Sequence, residues 1–374
     1  MPMPREILTA RRLITPQGTL DHPVITINDG LIQSIESAPS SPNDTTLTPT
    51  FFDIHTHGAA GHDVMEGTPE ALTSISRFLA TKGVGHYLPT TVTAPVERTL
   101  RALEGIANAI EHPTPGAATP IAIHLEGPFV SHVKRGVHPE ADILPPDIAL
   151  FDRFQQAARG HILHLTLAPE IPGAIDLVTH ATARGVRVSI GHSNATSQQA
   201  HEAIAAGATS ATHTFNAMRP LDHREPGVLG AILDDDHLFA EIIADGIHVS
   251  PELVRLWLKM KGPDRGLLIT DSISATGMPD GTYTLGTFPV IVANGRAMSN
   301  GHLAGSVLTM DRAVANLQQF TGTSLATAVR LASHNPATLL GLNLDPAPGQ
   351  PANFNLYNSA NQLQSTLLQG HPTT

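Results

Sequence analysis

The chain has 374 residues, of which 41% are hydrophobic and 15% charged, with a formal net charge of −11. This is the composition of a globular protein with a large core, and its acidic balance gives no electrostatic support for binding nucleic acid. Cysteine is absent, which excludes disulfides, thiolate ligands and a thiol nucleophile, so any metal site must draw on His, Asp or Glu.

The start, Met1-Pro2-Met3-Pro4-Arg5-Glu6, lacks the basic and apolar regions of a signal peptide. No apolar run long enough to span a bilayer follows, so a soluble, cytoplasmic protein without a membrane partner is expected. Residues 5–48 read as short strands and turns: Ile7-Leu8-Thr9, a turn at Pro16-Gln17-Gly18, Val24–Ile27, the hairpin signal Asn28-Asp29-Gly30, and Leu31–Ile35. The tail repeats the pattern in 353–357 and 362–368. Both ends are therefore expected to build one small β-sandwich module, 1–50 plus 345–374, beside a central domain of residues 51–344.

The central pattern is different. Apolar runs near 51–55, 86–91, 120–125, 163–168, 186–191, 209–213, 239–244 and 267–270 read as strands. Most are followed by a helical stretch, as in Pro69–Lys82, Pro95–Glu111, Gly173–Arg184, Ser197–Ala206 and Pro251–Lys261. Alternating strand and helix predicts a parallel sheet, and eight such units predict an α/β fold closed as a (β/α)8 TIM-type barrel. Pro279-Asp280-Gly281 and the run behind it predict a β-hairpin inserted near 281–300, ahead of helices near 307–320 and 324–333.

In such barrels the chemistry sits at the carboxyl ends of the strands. The first strand ends in His55-Thr56-His57, whose i and i+2 positions point to one face and can present two imidazoles to one ion. Taken alone, that pair is equally well two polar residues at a strand end. Glu126 ends the third strand, His192 the fifth, His213 the sixth and Asp271 the eighth, and the seventh runs into His248. Imidazoles and carboxylates converging on one mouth predict a divalent metal, zinc in the first place, with iron or manganese as alternatives. A carboxylate facing that metal from the last strand suits the proton transfers of hydrolysis, although Asp271 could instead cap the segment after it.

His124-Leu-Glu-Gly-Pro-Phe129, Thr212-His-Thr-Phe-Asn-Ala-Met218, Arg224-Glu-Pro-Gly227, Thr270-Asp271 and Leu303-Ala-Gly-Ser306 form a combination that resembles the amidohydrolase superfamily, and within it the N-acetylglucosamine-6-phosphate deacetylase family. The resemblance covers nearly the whole chain. It implies metal-dependent hydrolysis of the acetamide of N-acetyl-D-glucosamine 6-phosphate. It also implies Glu126, His192 and His213 as ligands of a principal ion, His55 and His57 as ligands of a second, and Asp271 as general base and acid. His138 would assist at the acetamide carbonyl. Val137, Asn216, Ala217, His248 and Leu303-Ala304-Gly305 would contact the substrate. Arg224 would bind its phosphate from the neighbouring subunit of a homodimer, where a planar guanidinium suits a phosphate dianion.

The chain departs from its relatives at Pro49-Thr50-Phe51, at Pro351-Ala352-Asn353 and at His302, where a small hydroxyl residue is usual. A galactosamine-type substrate and a non-catalytic phosphosugar-binding role stay open at this point. A cyclic-amide hydrolase is disfavoured, because no lysine lies at a strand end to bridge two ions.

Overall fold

The computed structural model describes residues 6–373. Residues 1–5 and 374, including most of the opening stretch that lacks signal-peptide character, lie outside the described residues. The central fold is a parallel (β/α)8 barrel. Its strands are β1 (Phe51–Thr56), β2 (Val84–Thr91), β3 (Ile123–Glu126), β4 (Ile162–Leu167), β5 (Arg187–Ile190), β6 (Ala208–Ala211), β7 (Phe239–Ile243) and β8 (Gly266–Ile269). Each pairs in parallel with the next in chain order. The seam between β8 and β1 closes just past the strand ends: Asp271 N–H donates to His55 O at 2.9 Å, His57 N–H to Ser272 O at 2.7 Å, and Thr56 bridges Ser272.

The helices are α1 (Pro69–Thr81), α2 (Val96–Glu111), α3 (Ile148–Ala157), α4 (Ala174–Thr182), α5 (Ser197–Ala205), α6 (Gly227–Asp234), α7 (Pro251–Arg265), α8 (Met310–Thr321), α9 (Leu325–Ala332) and α10 (His334–Leu340). Local chemistry sets several of their starts. Thr68 caps α1, with proline at its first position, and Thr196 with Gln199 forms a capping box on α5. The buried faces of the helices join the strands in one apolar core that includes Phe52, Ile54, Leu72, Ile75, Leu103 and Trp257. On β1 the alternation divides the strand. Phe52 and Ile54 enter that core, while Asp53 meets Thr270, just past β8, and His55 meets Glu241 of β7 inside the barrel.

Strands from both ends of the chain share a six-stranded sheet, in the order 371–372, 363–368, 354–357, 46–49, 12–15, 18–21. A three-stranded sheet of 6–9, 23–28 and 31–37 accompanies it. Leu13, Ile25, Ile27, Ile32, Leu47 and Phe354 form their common core. The segment after β8 is more elaborate than a hairpin: four antiparallel strands, 281–285, 288–293, 296–299 and 302–303, whose last one delivers Leu303. No helix of the described residues is long and apolar enough to cross a membrane.

One buried side chain stitches the terminal sheet to the barrel. Asn355 donates to Gly83 O at 2.9 Å and accepts from Thr366 Oγ1 at 2.9 Å. Asn355→Ala removes the first bond and leaves the threonine hydroxyl without its acceptor, so it should destabilise the fold by about 1–3 kcal/mol. Urea unfolding checks this, and an unshifted midpoint would show the stitch to be dispensable.

Candidate metal centre and cavity

At the carboxyl ends of the strands, two groups of metal-capable side chains lie side by side: His55, His57 and Asp271, and Glu126, His192 and His213. The ligand atoms within each group lie within 4.8 Å of one another. Among the described residues these are the two groups of this kind.

Glu126 stands between them. Its Oε1 lies 3.1 Å from His213 Nε2 and 3.2 Å from His192 Nε2, while its Oε2 lies 3.1 Å from His57 Nε2 and 3.5 Å from His55 Nε2. One carboxylate therefore turns an oxygen to each group. Asp271 Oδ1 approaches His57 Nε2 at 3.2 Å and His55 Nε2 at 3.5 Å.

The imidazoles are oriented from behind. His57 Nδ1 lies 3.0 Å from Thr90 O and His192 Nδ1 3.0 Å from Lys134 O. A carbonyl only accepts, so each Nδ1 carries a proton and each Nε2 is the nitrogen that faces inward. His55 Nδ1 is bonded to Glu241 Oε2 at 3.0 Å, and its buried Nε2 makes no hydrogen bond. His192 and His213 bring their Nε2 atoms to 3.1 Å of each other. Imidazole nitrogens and carboxylate oxygens converging from several strands, beside an orphaned buried nitrogen, form a set that fits divalent cations.

Protonation in the metal-free protein reflects the same crowding. Burial works against charge on His57, but hydrogen bonds to Asp271 and Glu126 and their charges outweigh it and raise its pKa to about 9. His55 is raised well above the ordinary range against the same burial, by Glu126 and Asp271. Glu126 is held well below the carboxylate range, since the charge of His55 and bonds from His192 and His213 overcome burial. Burial also opposes ionisation of Asp271, yet His55 and His57 bring it down to about 2. His138 moves the other way: burial and the neighbouring His192 keep it neutral.

Backbone strain concentrates here. His192 has φ of 47°, His213 of 28° and Asp271 of 50°, all in the left-handed region where non-glycine residues are costly. Gly305, with φ of 59°, passes so close to Asp271 that a Cβ would sit 2.9 Å from its carbonyl oxygen and 2.4 Å from Ile273.

A cavity of about 260 Å³ opens over the centre. Of the residues expected at the site, His57, Glu126, Val137, His138, His192, His213, Asn216, Ala217, His248, Asp271, Leu303 and Gly305 line it. His55 lies beneath, fully buried. His138 Nδ1 bonds Thr93 Oγ1 at 2.6 Å, and its Nε2 is 3.8 Å from Glu126 Oε2. His248 is held by Asp245, with Nδ1 at 2.7 Å from Oδ2. Two expected residues stand apart. Ala304 is buried among Ile273, Leu285, Val290 and Ala297, because alternate residues of an extended segment face opposite ways. Arg224 is exposed on the loop before α6 and does not line the cavity of this single chain.

The structure adds residues that the sequence pattern does not single out. Val92, Gly136 and Leu285, with the His302 already noted as a departure, complete the cavity wall, Thr93 supports His138, and Glu241 of β7 supports His55. Glu241 carries a visible signal: a charge in the middle of the apolar run 239–243 needs a buried partner. A larger cleft of about 370 Å³, between the 12–21 hairpin and α9, contains neither metal-capable group and lies away from the barrel mouth.

A sequence profile of the amidohydrolase family matches residues 46–372. An N-acetylgalactosamine-6-phosphate deacetylase of Escherichia coli O157:H7 is 39% identical over 371 residues, covering 97% of this chain and 98% of that protein. An N-acetylglucosamine-6-phosphate deacetylase of Vibrio furnissii is 38% identical over 344 residues, covering 89% and 85%. Among solved structures, a mutant N-acetyl-D-glucosamine-6-phosphate deacetylase of Mycobacterium smegmatis, in complex with N-acetyl-D-glucosamine-6-phosphate, superposes with a TM-score of 0.94 at 31% identity, over 100% of both chains.

If His57 is a ligand, metal uptake displaces the proton that it carries at neutral pH. Zinc titration of metal-free protein should then release protons near pH 7, and affinity should rise with pH. The same raised pKa contributes stability to the metal-free fold that is complete below the ordinary 6.5 and is lost as pH climbs through about 9. Calorimetry in buffers of different ionisation enthalpy measures the protons, and zinc uptake with none released would contradict the assignment.

Proposed function

The chain belongs to the amidohydrolase family, and we propose that it hydrolyses the acetamide of N-acetyl-D-glucosamine 6-phosphate to D-glucosamine 6-phosphate and acetate. The observation that carries this reading is Glu126, turned to a metal-capable group on either side, with Asp271 facing the same cavity. The galactosamine epimer is the second reading, supported by the Escherichia coli O157:H7 relative.

In this reading Glu126, His192 and His213 hold a principal ion and His55 and His57 a second, with zinc the metal that best suits imidazole and carboxylate donors without thiolate. A divalent ion so held acidifies water and polarises a carbonyl. The remaining work belongs to the side chains. Asp271 is ionised and faces the cavity, so it accepts the proton of the attacking water and returns it to the departing amine nitrogen. His138 is neutral. With the Thr93 hydroxyl donating to Nδ1, its Nε2–H faces inward as a donor for the carbonyl oxygen as charge builds there. Water adds to the acetyl carbon, the C–N bond breaks, and acetate and the amine leave.

Val137, Asn216, Ala217, His248, Leu303 and Gly305 are the cavity residues available to a sugar and its phosphate. Arg224 points to a homodimer in which each protomer supplies this guanidinium to its partner's substrate. Its exposure in the single chain agrees with that role. A phosphorylated substrate, which does not diffuse across membranes, agrees with a cytoplasmic setting.

Acetate release from the gluco and galacto 6-phosphates, measured on the purified protein, tests the activity and ranks the epimers. Asp271→Asn should keep its metal and lose about 100- to 10,000-fold in kcat. If Arg224 acts across the interface, mixing Asp271→Asn with Arg224→Ala protomers should restore activity that neither has alone. No recovery would remove the shared site. Separately, His55→Ala/His57→Ala protein should hold less zinc than the wild type by elemental analysis; equal content would eliminate the second ion.

A further inference from the structure

We propose that Glu241, buried in the middle of β7, is a positioning residue that readies both metal-capable groups through one oxygen. Its Oε2 meets His55 Nδ1 at 3.0 Å and the backbone N–H of His213 at 3.1 Å. Its other oxygen has no hydrogen-bond partner, so its whole accepting role falls on these two contacts. The first contact places the proton of the neutral His55 ring on Nδ1, which makes Nε2, 3.5 Å from Glu126 and from Asp271, the atom free to meet an ion. The second contact anchors His213 where its backbone is strained, at φ of 28°. Thr214 N–H adds a bond to Glu241 O at 2.8 Å, so side chain and backbone of one residue grip the end of β6.

His55 belongs to one group and His213 to the other. Glu241 therefore touches a member of each group directly, as Glu126 does. It lies below the cavity and touches no substrate, so it acts through the ligands and not on the reaction. This inference rests on the reading that both groups hold metal.

The test compares Glu241→Met, of similar length without an acceptor, with Glu241→Gln, whose amide oxygen can take the place of Oε2. Zinc titration of metal-free protein is the readout. Glu241→Met should weaken binding of the ions by about 10- to 100-fold, the usual effect of removing a partner that orients a ligand. Glu241→Gln should recover most of that loss. A Glu241→Met protein that binds zinc like the wild type overturns the role, and so does equal loss in both variants. Should Glu241→Met fail to fold, nitrogen NMR of histidines in the zinc-loaded wild type decides. The signal absent from His55→Gln must be protonated at Nδ1 and have the shift of a coordinated Nε2; protonation at Nε2 overturns the proposal. Wild-type protein that takes up no zinc overturns the metal reading itself, a result distinct from failure of the Glu241 role alone.

Discussion

An ionised carboxylate removed from water is tolerable only where positive charge or donors are brought to it. Glu126 is 2% exposed, and four imidazoles surround it. Hydrogen bonds behind His57 and His192 turn their lone pairs toward the carboxylate, so these groups cannot all satisfy one another as neutral partners. In the metal-free protein, protons on His55 and His57 supply the missing charge. A metal ion supplies it more directly, because it accepts lone pairs from every side. On the proposed reading the site is a place where cations compete with protons, and the fold has to hold these side chains still.

It does so by making the barrel seam and the site from the same residues. The bonds that join β8 to β1 are Asp271 N–H to His55 O and His57 N–H to Ser272 O. Ser306 N–H then donates to Asp271 O at 2.7 Å, which ties the segment behind Leu303 to the same point. These bonds over-determine Asp271 at a φ that would cost about 1–3 kcal/mol in an unconstrained chain. A barrel that loosened at this seam would lose the placement of Asp271 and one metal-capable group together. Gly305 fits the same logic, since the close approach to Asp271 leaves no room for a Cβ.

Much of this architecture is legible in the amino-acid sequence. Runs of apolar residues at regular spacing mark the eight strands, and polar residues at their carboxyl ends mark the mouth. The features that the sequence hides have identifiable physical causes. Glu241 sits inside a short apolar run, where periodicity says strand and nothing in the local pattern says which distant group it will meet. Val92 and Leu285 look like ordinary core, because an apolar wall and an apolar interior use the same residues. Ala304 shares a motif with Leu303 and Gly305, although the alternation of an extended segment turns it away from the cavity they line. Helix α6 lacks a clear periodic signal because it buries most of its residues, so no polar face marks it.

Charge balance bears on the order in which ions would enter such a centre. Glu126 and Asp271 bring two negative charges to the mouth, and in the metal-free protein protons on His55 and His57 offset them. On the reading proposed above, an ion held by Glu126, His192 and His213 would add positive charge beside both of those histidines and favour loss of their protons. Each Nε2 would then present the lone pair that a second ion needs. Filling the first group would thus prepare the second, and the carboxylate of Glu126, turned to both groups, would offset the repulsion between two cations so placed.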